Sequence, residues 1–348
     1  MAKNYHIKTK ESKRKNLLLT FDYELFLGTN SGSAQKCMIE PTKYILDILK
    51  ESNIKHAIFF VDTTYLQKLI DSNHEISKQD LKMISQQLVE LIKAGHYVFP
   101  HIHPHWKDAV YDQNNNTWNL EEDRSYRFHA ISEPERDQVF KNSIEIIKDL
   151  KKQAGAQYPV DAYRAGGWCI QPFADFKPYF EKYGIVFDFS VLRGQSESNE
   201  KIFYNFATVP QKVIYKFNNE VNSEDNSDGK FYEFTISSVQ KTSGLNSFFE
   251  KVYNKYLWLT KNKSIGDGYS LNKRSHAKTE TGKEMASLEL LTLMKLNRYE
   301  RLLKNEDYLQ IISHPKMLSR HNLKMFQRFI RSMKSKYELV TDYKLMLN

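Results

Sequence analysis

The stretch HYVFPHIHPHW, residues 96–106, places three alternating histidines directly after a short apolar run. The run HYVF (96–99) has the length and composition of a buried strand. His101, His103 and His105 follow it, although the whole chain of 348 residues holds only 11 histidines. Because Pro104 disfavours a helix here, the sequence predicts a strand that ends in a loop rich in imidazole.

Six further runs of similar character predict strands, and helical patterns separate most of them. The predicted strands cover 16–21, 56–61, 96–99, 161–165, 184–191, 230–237 and 308–313. Helical spacing of apolar residues predicts helices over 41–52, 77–95, 132–152, 172–183, 245–261, 282–304 and 319–335. This alternation indicates parallel strands that are joined by right-handed crossovers.

Ionisable residues recur at the carboxyl ends of the predicted strands. In a closed barrel these ends converge on one mouth, whereas in an open doubly wound sheet they spread along an edge. The pattern therefore favours an α/β barrel over the open sheet. The residues concerned are Asp22, Glu24, Asp62, His101, His103, His105, Arg164, Asp188 and His314.

Composition narrows the class of protein further. A hydrophobic share of 41% and a charged share of 27% are those of a globular chain, and no apolar run is long enough to predict a membrane span. Cys37 and Cys169 form no CxxC pair and no signal peptide is evident, so we expect a cytoplasmic protein without disulfides. We expect no nucleic-acid partner, since the net charge of +9 accompanies no nucleic-acid-binding motif. We predict a single catalytic domain over 1–348, with an insertion around 195–300 between barrel strands five and seven.

The histidine loop and the acidic residues after the first strand suggest a metal site. His101 and His105 are four residues apart and can converge from a loop, and imidazole suits Zn²⁺. Either Asp22 or Glu24 could add a carboxylate ligand, which would leave the other to act as a base. The alternative is that the His-Pro-His-Trp loop is a packed aromatic cluster with no ion.

Five short motifs resemble those of the polysaccharide deacetylase (carbohydrate esterase) superfamily. They occur in the order that is found in that family and span residues 17 to 315 of the chain. The motifs are LTFDYE (19–24), GHYVFPHIHPHW (95–106), YRAGGWC (163–169), YGIVFDFSV (183–191) and QIISHP (310–315). The resemblance implies an irregular (β/α)7 barrel.

The resemblance also implies a role for each matching residue. Glu24, His101 and His105 would hold a divalent metal, with Zn²⁺ expected and Fe, Co or Ni as alternatives. Asp22 would be the general base and Arg164 its partner. The remaining implied roles are a general acid at His314, an orienting group for it at Asp188, an oxyanion-binding N–H at Gly167 and a sugar-stacking ring at Trp168.

Two departures from the family pattern leave alternatives open. Asp-Tyr-Glu replaces the usual adjacent acidic pair, so Asp22 and Glu24 could exchange roles, and the additional His103 is assigned to packing or to supporting a ligand. The resemblance implies a metal-dependent hydrolase that removes N-acetyl groups from an amino-sugar-containing polysaccharide or glycan precursor. The alternatives are hydrolysis of another non-peptide C–N or ester bond, or a carbohydrate-binding protein that has lost turnover.

Overall fold

The computed structural model of the protein describes residues 13–121, 124–241, 245–260, 263–269, 282–289 and 291–347. The predicted insertion therefore lies partly outside the described residues. The strands are β1 Lys13–Tyr23, β2 Ile58–Asp62, β3 Tyr97–Ile102, β4 Val110–Asp112, β5 Thr117–Asn119, β6 Ala162–Ala165, β7 Phe187–Asp188, β8 Ser196–Ser198, β9 Phe203–Asn205, β10 Ile214–Phe217, β11 Phe231–Phe234, β12 Ser238–Gln240, β13 Lys283–Met285, β14 Tyr308–Ser313 and β15 Tyr337–Val340. The α-helices are α1 Glu40–Glu51, α2 Thr63–Asp71, α3 Glu75–Lys93, α4 Glu133–Ala154, α5 Lys177–Tyr183, α6 Leu245–Thr260, α7 Leu293–Glu306 and α8 Arg320–Lys334.

One large sheet carries the fold. Its strands run in the order β10-β11-β7-β6-β3-β2-β1-β14, and β15 also pairs with β1. Every pairing is parallel except that of β10 with β11. Strand β1 shows why the sheet forms, because Leu17, Leu18 and Leu19 are all buried and both faces of the strand are therefore covered.

The register of this sheet brings the polar strand ends to one level. Asp62 pairs with His101, which in turn pairs with Arg164 on the next strand. On the other side, Phe21 of β1 pairs with Ser313 of β14. Residues that directly follow these strands therefore meet at the carboxyl edge of the sheet.

The sheet is curled so that its two ends approach each other. The backbone N–H of Ser237, beyond β11, donates to the carbonyl of Gln310 in β14 at 3.3 Å. The Gln310 side chain donates to the Phe234 carbonyl at 3.0 Å, and the Tyr308 hydroxyl donates to the Thr235 carbonyl at 3.2 Å. This seam of individual hydrogen bonds gives a mixed α/β fold with a curled sheet.

The seven predicted strands correspond to β1, β2, β3, β6, β7, β11 and β14. The helix predicted over 282–304 is wrong in its first part, which forms β13 and an extended segment, and α7 begins only at Leu293. Ala286 explains the difference: its N–H donates to the Ser237 carbonyl and its carbonyl accepts from Ile312, so this segment fills the seam. Tertiary hydrogen bonding here overrides the helical spacing of the apolar residues.

Helix α2 follows β2 directly and has a clear local cause, a helix cap that the residue type of Asp62 favours. The Asp62 carboxylate accepts from the backbone N–H of Tyr65 at 3.1 Å and so caps the amino end of the helix. The same carboxylate accepts from the Trp106 indole at 2.5 Å, which ties the helix to the histidine loop. Within the described ranges, every helix is too short or too polar to cross a lipid bilayer.

Candidate metal centre and acid–base groups

A pocket of about 220 Å³ opens at the carboxyl edge of the sheet. Its floor holds Asp22, Glu24, His101, His103 and His314, which the chain supplies from the ends of β1, β3 and β14. Its walls are Leu27, Tyr126, Gly167, Trp168, Glu197, Ile202 and Tyr204. The site therefore combines ionisable groups below with apolar and aromatic groups above.

Glu24, His101 and His103 form the group that could hold a metal ion, with ligand atoms within 4.8 Å of one another. Glu24 Oε2 lies 2.8 Å from His103 Nε2 and 3.5 Å from His101 Nε2. The two Nε2 atoms are 3.0 Å apart. All three side chains are buried, and the short distances between their donor atoms show that these atoms face one small space.

The tautomer of His101 suits metal binding. Its Nδ1 lies 2.8 Å from the carbonyl oxygen of Arg164 and must therefore carry the proton that forms this hydrogen bond. Nε2 is then the ring nitrogen that faces Glu24 and His103, and it can bind a metal once it has lost its proton. A histidine ligand held by a backbone carbonyl through its other nitrogen is the usual arrangement around protein metals.

The charge of Glu24 is fixed by a buried lysine that the sequence reasoning missed. Lys316 Nζ donates to Glu24 Oε1 at 2.8 Å and to the Leu25 carbonyl at 2.5 Å. Burial alone raises the pKa of Glu24, but Lys316 and His103 outweigh it and hold that pKa well below the ordinary value. Glu24 is thus an ionised carboxylate with one oxygen on Lys316 and the other facing the imidazoles.

Asp22 is held beside this group by Arg164. The guanidinium Nη1 donates to Asp22 Oδ1 at 2.5 Å, and Nη2 donates to the Thr20 hydroxyl at 2.9 Å. Burial raises the pKa of Asp22, yet Arg164, His101 and His314 together bring it below the ordinary value. The second oxygen, Oδ2, lies 4.0 Å from His101 Nε2 and 3.6 Å from His314 Nε2, so it faces the pocket as an ionised base.

His314 lies opposite, and its partner is Glu289. Glu289 Oε1 is 3.0 Å from His314 Nδ1 and accepts from the backbone N–H of His314 at 2.7 Å. Burial lowers the pKa of His314, but Glu289, with Asp22 and Glu24, raises it above the ordinary value. The raised pKa favours the imidazolium, which carries a proton on Nδ1 towards Glu289 and another on Nε2, the atom that faces Asp22 and Glu24 at 3.6 Å.

His105, which the sequence assigned as a ligand, is absent from the metal-competent group of described residues, and His103 takes its place. The 3-10 turn Pro104–Asp108 directs the His105 ring against Tyr126, with ring centroids 5.0 Å apart. Burial and the neighbouring His103 hold the pKa of His105 well below its ordinary value, so it is a neutral packing group. The signal was present in the sequence, since residues 101 and 103 share one face of an extended chain.

Asp188 also differs from its assigned role of orienting His314. It accepts from the Ser190 hydroxyl at 2.7 Å and pairs in the sheet register with Glu233. Burial raises the pKa of both carboxyls, and each interacts with the other, so the pair retains a proton. Glu289, which holds His314, comes from the segment that was predicted as a helix, so no strand-end pattern could have found it.

The loop after β6 shapes the pocket wall. Gly167 has φ of 58° and Trp168 has φ of 59°, a conformation that is costly for tryptophan and that turns its ring towards Tyr204 at a centroid distance of 5.7 Å. A Cβ atom on Gly167 would lie 2.7 Å from the Tyr126 hydroxyl, so a larger residue there would displace the Tyr126 ring from the pocket wall. Of the four tryptophans, Trp106 and Trp118 are buried, whereas Trp168 lines the pocket.

The residues present fit a divalent metal. Two imidazole nitrogens and one carboxylate oxygen are a donor set that Zn²⁺, Fe²⁺, Co²⁺ or Ni²⁺ accepts. The remaining pocket volume above them leaves room for water and substrate, as catalytic metal sites require. Together with a base and a protonated imidazole, the group can support hydrolysis.

Comparisons with known proteins give distant structural similarities. No family description and no curated protein sequence matches the chain. It is similar to the catalytic domain of a peptidoglycan N-acetylglucosamine deacetylase from Eubacterium rectale, at 13% identity and a TM-score of 0.36 over 96% of this chain and 90% of that one. It is also similar to a 4-alpha-glucanotransferase from Thermococcus litoralis, at 14% identity and a TM-score of 0.45 over 96% of this chain and 40% of that one. A branching enzyme from Thermococcus kodakaraensis is similar at 10% identity and a TM-score of 0.46 over 97% of this chain and 70% of that one. The chain thus spans two fifths of the length of the glucanotransferase.

Proposed function

We propose that the protein is a metal-dependent hydrolase that removes N-acetyl groups from an amino-sugar-containing polysaccharide or glycan precursor. The observation that carries the proposal is the convergence of three kinds of group in one pocket. A metal-competent cluster lies beside a carboxylate, Asp22, and an imidazole, His314, which face each other at 3.6 Å. Amide hydrolysis needs a base for water and an acid for the leaving amine, and these two groups supply both.

Glu24, His101 and His103 would hold the ion. When bound there, a divalent metal supplies Lewis-acid polarisation of the acetyl carbonyl and lowers the pKa of water. Lys316 keeps Glu24 ionised, and the Arg164 carbonyl holds the His101 ring so that Nε2 faces the position of the cation.

Asp22 and His314 would move the protons of the reaction. As a water oxygen bonds to the acetyl carbon, Asp22 Oδ2 accepts a proton from that water. As the carbon–nitrogen bond breaks, His314 Nε2 donates its proton to the amine nitrogen, and acetate and a free amine result. Arg164 keeps Asp22 ionised and Glu289 keeps His314 protonated, so each group begins in the state that its step needs.

The pocket walls support a sugar as the substrate. Aromatic faces bind the apolar faces of sugar rings, and Trp168, Tyr126 and Tyr204 surround the opening. The Glu197 carboxylate on the same wall can accept hydrogen bonds from hydroxyl groups. A volume of about 220 Å³ is smaller than the ~300–1,000 Å³ of most ligand pockets, which favours a single sugar ring in the site.

Replacement of Asp22 by Asn tests the proposal. We expect acetate release from N-acetylated glycans to fall about 10²- to 10⁴-fold, while the protein still binds its metal, because the base is lost and the ligand group remains. Asp112→Asn is the matched control, since this residue ends β4 away from the pocket and its carboxylate accepts hydrogen bonds from the nearby Asn114 and Asn115. A wild-type protein that binds glycans but releases no acetate would instead indicate a binding protein.

A further inference from the structure

Helix α6 presents an unusual apolar surface to solvent. Six of its large apolar or aromatic side chains are exposed, with Phe248 at 62% and Leu259 at 64%. The described residues include fourteen such exposed side chains in all, so this one helix holds nearly half of them. We call these six the α6 stripe: Phe248, Phe249, Val252, Tyr253, Tyr256 and Leu259.

The stripe faces away from the protein. At 3.6 residues per turn, its six members fall within a sector of roughly 140° on the helix surface. Glu250 lies outside that sector and is buried, with its carboxylate bound to the Arg298 guanidinium at 2.9 and 3.1 Å. Arg298, on α7, also donates to Glu284 at 2.6 Å. The helix is therefore attached through Glu250, and the stripe is its outer surface.

The charges beside the stripe are positive. Glu250 is the only acidic residue between 245 and 263, and it is neutralised by Arg298. Lys251 and Lys255 are exposed next to the stripe, and Lys263 follows the helix. Exposed aromatic and aliphatic side chains with lysines at their margin are the two features that favour contact with an anionic membrane surface.

The segment that follows the helix is attached to the loop after β14. Ile265 donates to the Leu318 carbonyl at 2.9 Å, and Ser264 pairs with Ser319. Together with the pair of Glu250 and Arg298, these contacts connect both the helix and the segment after it to the body of the protein.

We propose that α6 docks the protein onto an anionic phospholipid surface, lying in the plane of the headgroups without crossing the bilayer. The stripe enters the boundary of the acyl chains, and Lys251 and Lys255 contact anionic headgroups. The inference rests on α6 alone and does not depend on the reaction proposed for the pocket.

Vesicle co-sedimentation of the full chain tests this inference. We expect binding to vesicles of phosphatidylcholine with phosphatidylserine, weaker binding to pure phosphatidylcholine, and weakening with added salt. Phe248→Ser with Phe249→Ser should reduce vesicle binding at least about tenfold, because two aromatic rings that enter the membrane in the wild type are lost. Lys251→Glu with Lys255→Glu should abolish the preference for anionic vesicles.

The control variant replaces two exposed apolar residues outside α6, Ile70→Ser with Val110→Ser, and should bind vesicles as the wild type does. Equal binding by the stripe variant and the wild type, or no preference for anionic vesicles, would overturn the inference. The inference would also be overturned if sedimentation velocity without lipid showed a dimer for the wild type and a monomer for the stripe variant. The stripe would then be a contact between two copies of the chain. Hydrolysis of a soluble N-acetylated sugar should be unchanged in the stripe variant, which separates this test from that of the pocket.

Discussion

Replacing His103 and His105 one at a time with glutamine tests the geometry of the proposed metal centre. The structure places His103 Nε2 at 2.8 Å from Glu24 Oε2 and 3.0 Å from His101 Nε2, whereas the His105 ring packs on Tyr126. The i, i+4 spacing of the sequence assigns the second imidazole ligand to position 105, and the structure assigns it to position 103. The two assignments therefore make opposite predictions about which variant loses metal affinity.

The size of the effect follows from the number of ligands. A structural zinc site with four ligands contributes about 10–16 kcal/mol, or roughly 2.5–4 kcal/mol per ligand, which corresponds to roughly 100- to 1000-fold in affinity. We expect this loss for His103→Gln. His105→Gln removes a ring contact with Tyr126 worth about 0.5–1.5 kcal/mol, which affects mainly folding stability, so metal affinity should change less than about tenfold.

Competition with a chromophoric chelator measures both affinities, and circular dichroism confirms that each variant is folded. Glu24→Gln provides a further comparison, since it removes the carboxylate ligand and should weaken binding as His103→Gln does. If His105→Gln loses the metal and His103→Gln keeps it, the ligand group deduced from these distances is refuted.

Three further changes probe the groups around the pocket. Glu289→Gln removes the charge that raises the pKa of His314, so the alkaline limb of the kcat/KM profile should move to lower pH; an unmoved limb would contradict the pairing. Gly166→Ala places a Cβ 2.8 Å from the His103 ring, so we expect weaker metal binding and a loss of about 1–3 kcal/mol in unfolding free energy, checked by chelator competition and urea titration. Burial raises the pKa of Glu233 in the folded state. The stability that its protonation contributes is therefore fully present below the pKa of the unfolded state and is lost as pH rises through the pKa of the folded state. Glu233→Gln should therefore gain stability relative to the wild type as pH rises, and a pH-independent difference in urea midpoints would exclude this explanation.

Much of the fold could be predicted because its strands and helices have strong local patterns. Leu17–Leu19 and the run at 58–61 are buried on both faces, and such strands appear in a sequence as continuous apolar segments. The segment at 282–289 could not be predicted in the same way. Its apolar residues have helical spacing, but the backbone of Ala286 hydrogen-bonds to Ser237 and Ile312, which are distant in the chain.

The ionisable residues that follow the strands can be read from local sequence patterns, and a parallel sheet places all strand carboxyl ends at one edge. Asp22, Glu24, His101 and His314 could therefore be predicted as neighbours before any distance was known. The hydrogen-bonding partner of each group could not be predicted in this way. Glu289 holds His314, Lys316 holds Glu24, and His103 faces the centre in place of His105. The reason is physical: in a buried site a charge is set by the groups within a few ångströms, and those groups are brought there by the curl of the sheet and the turn at Pro104.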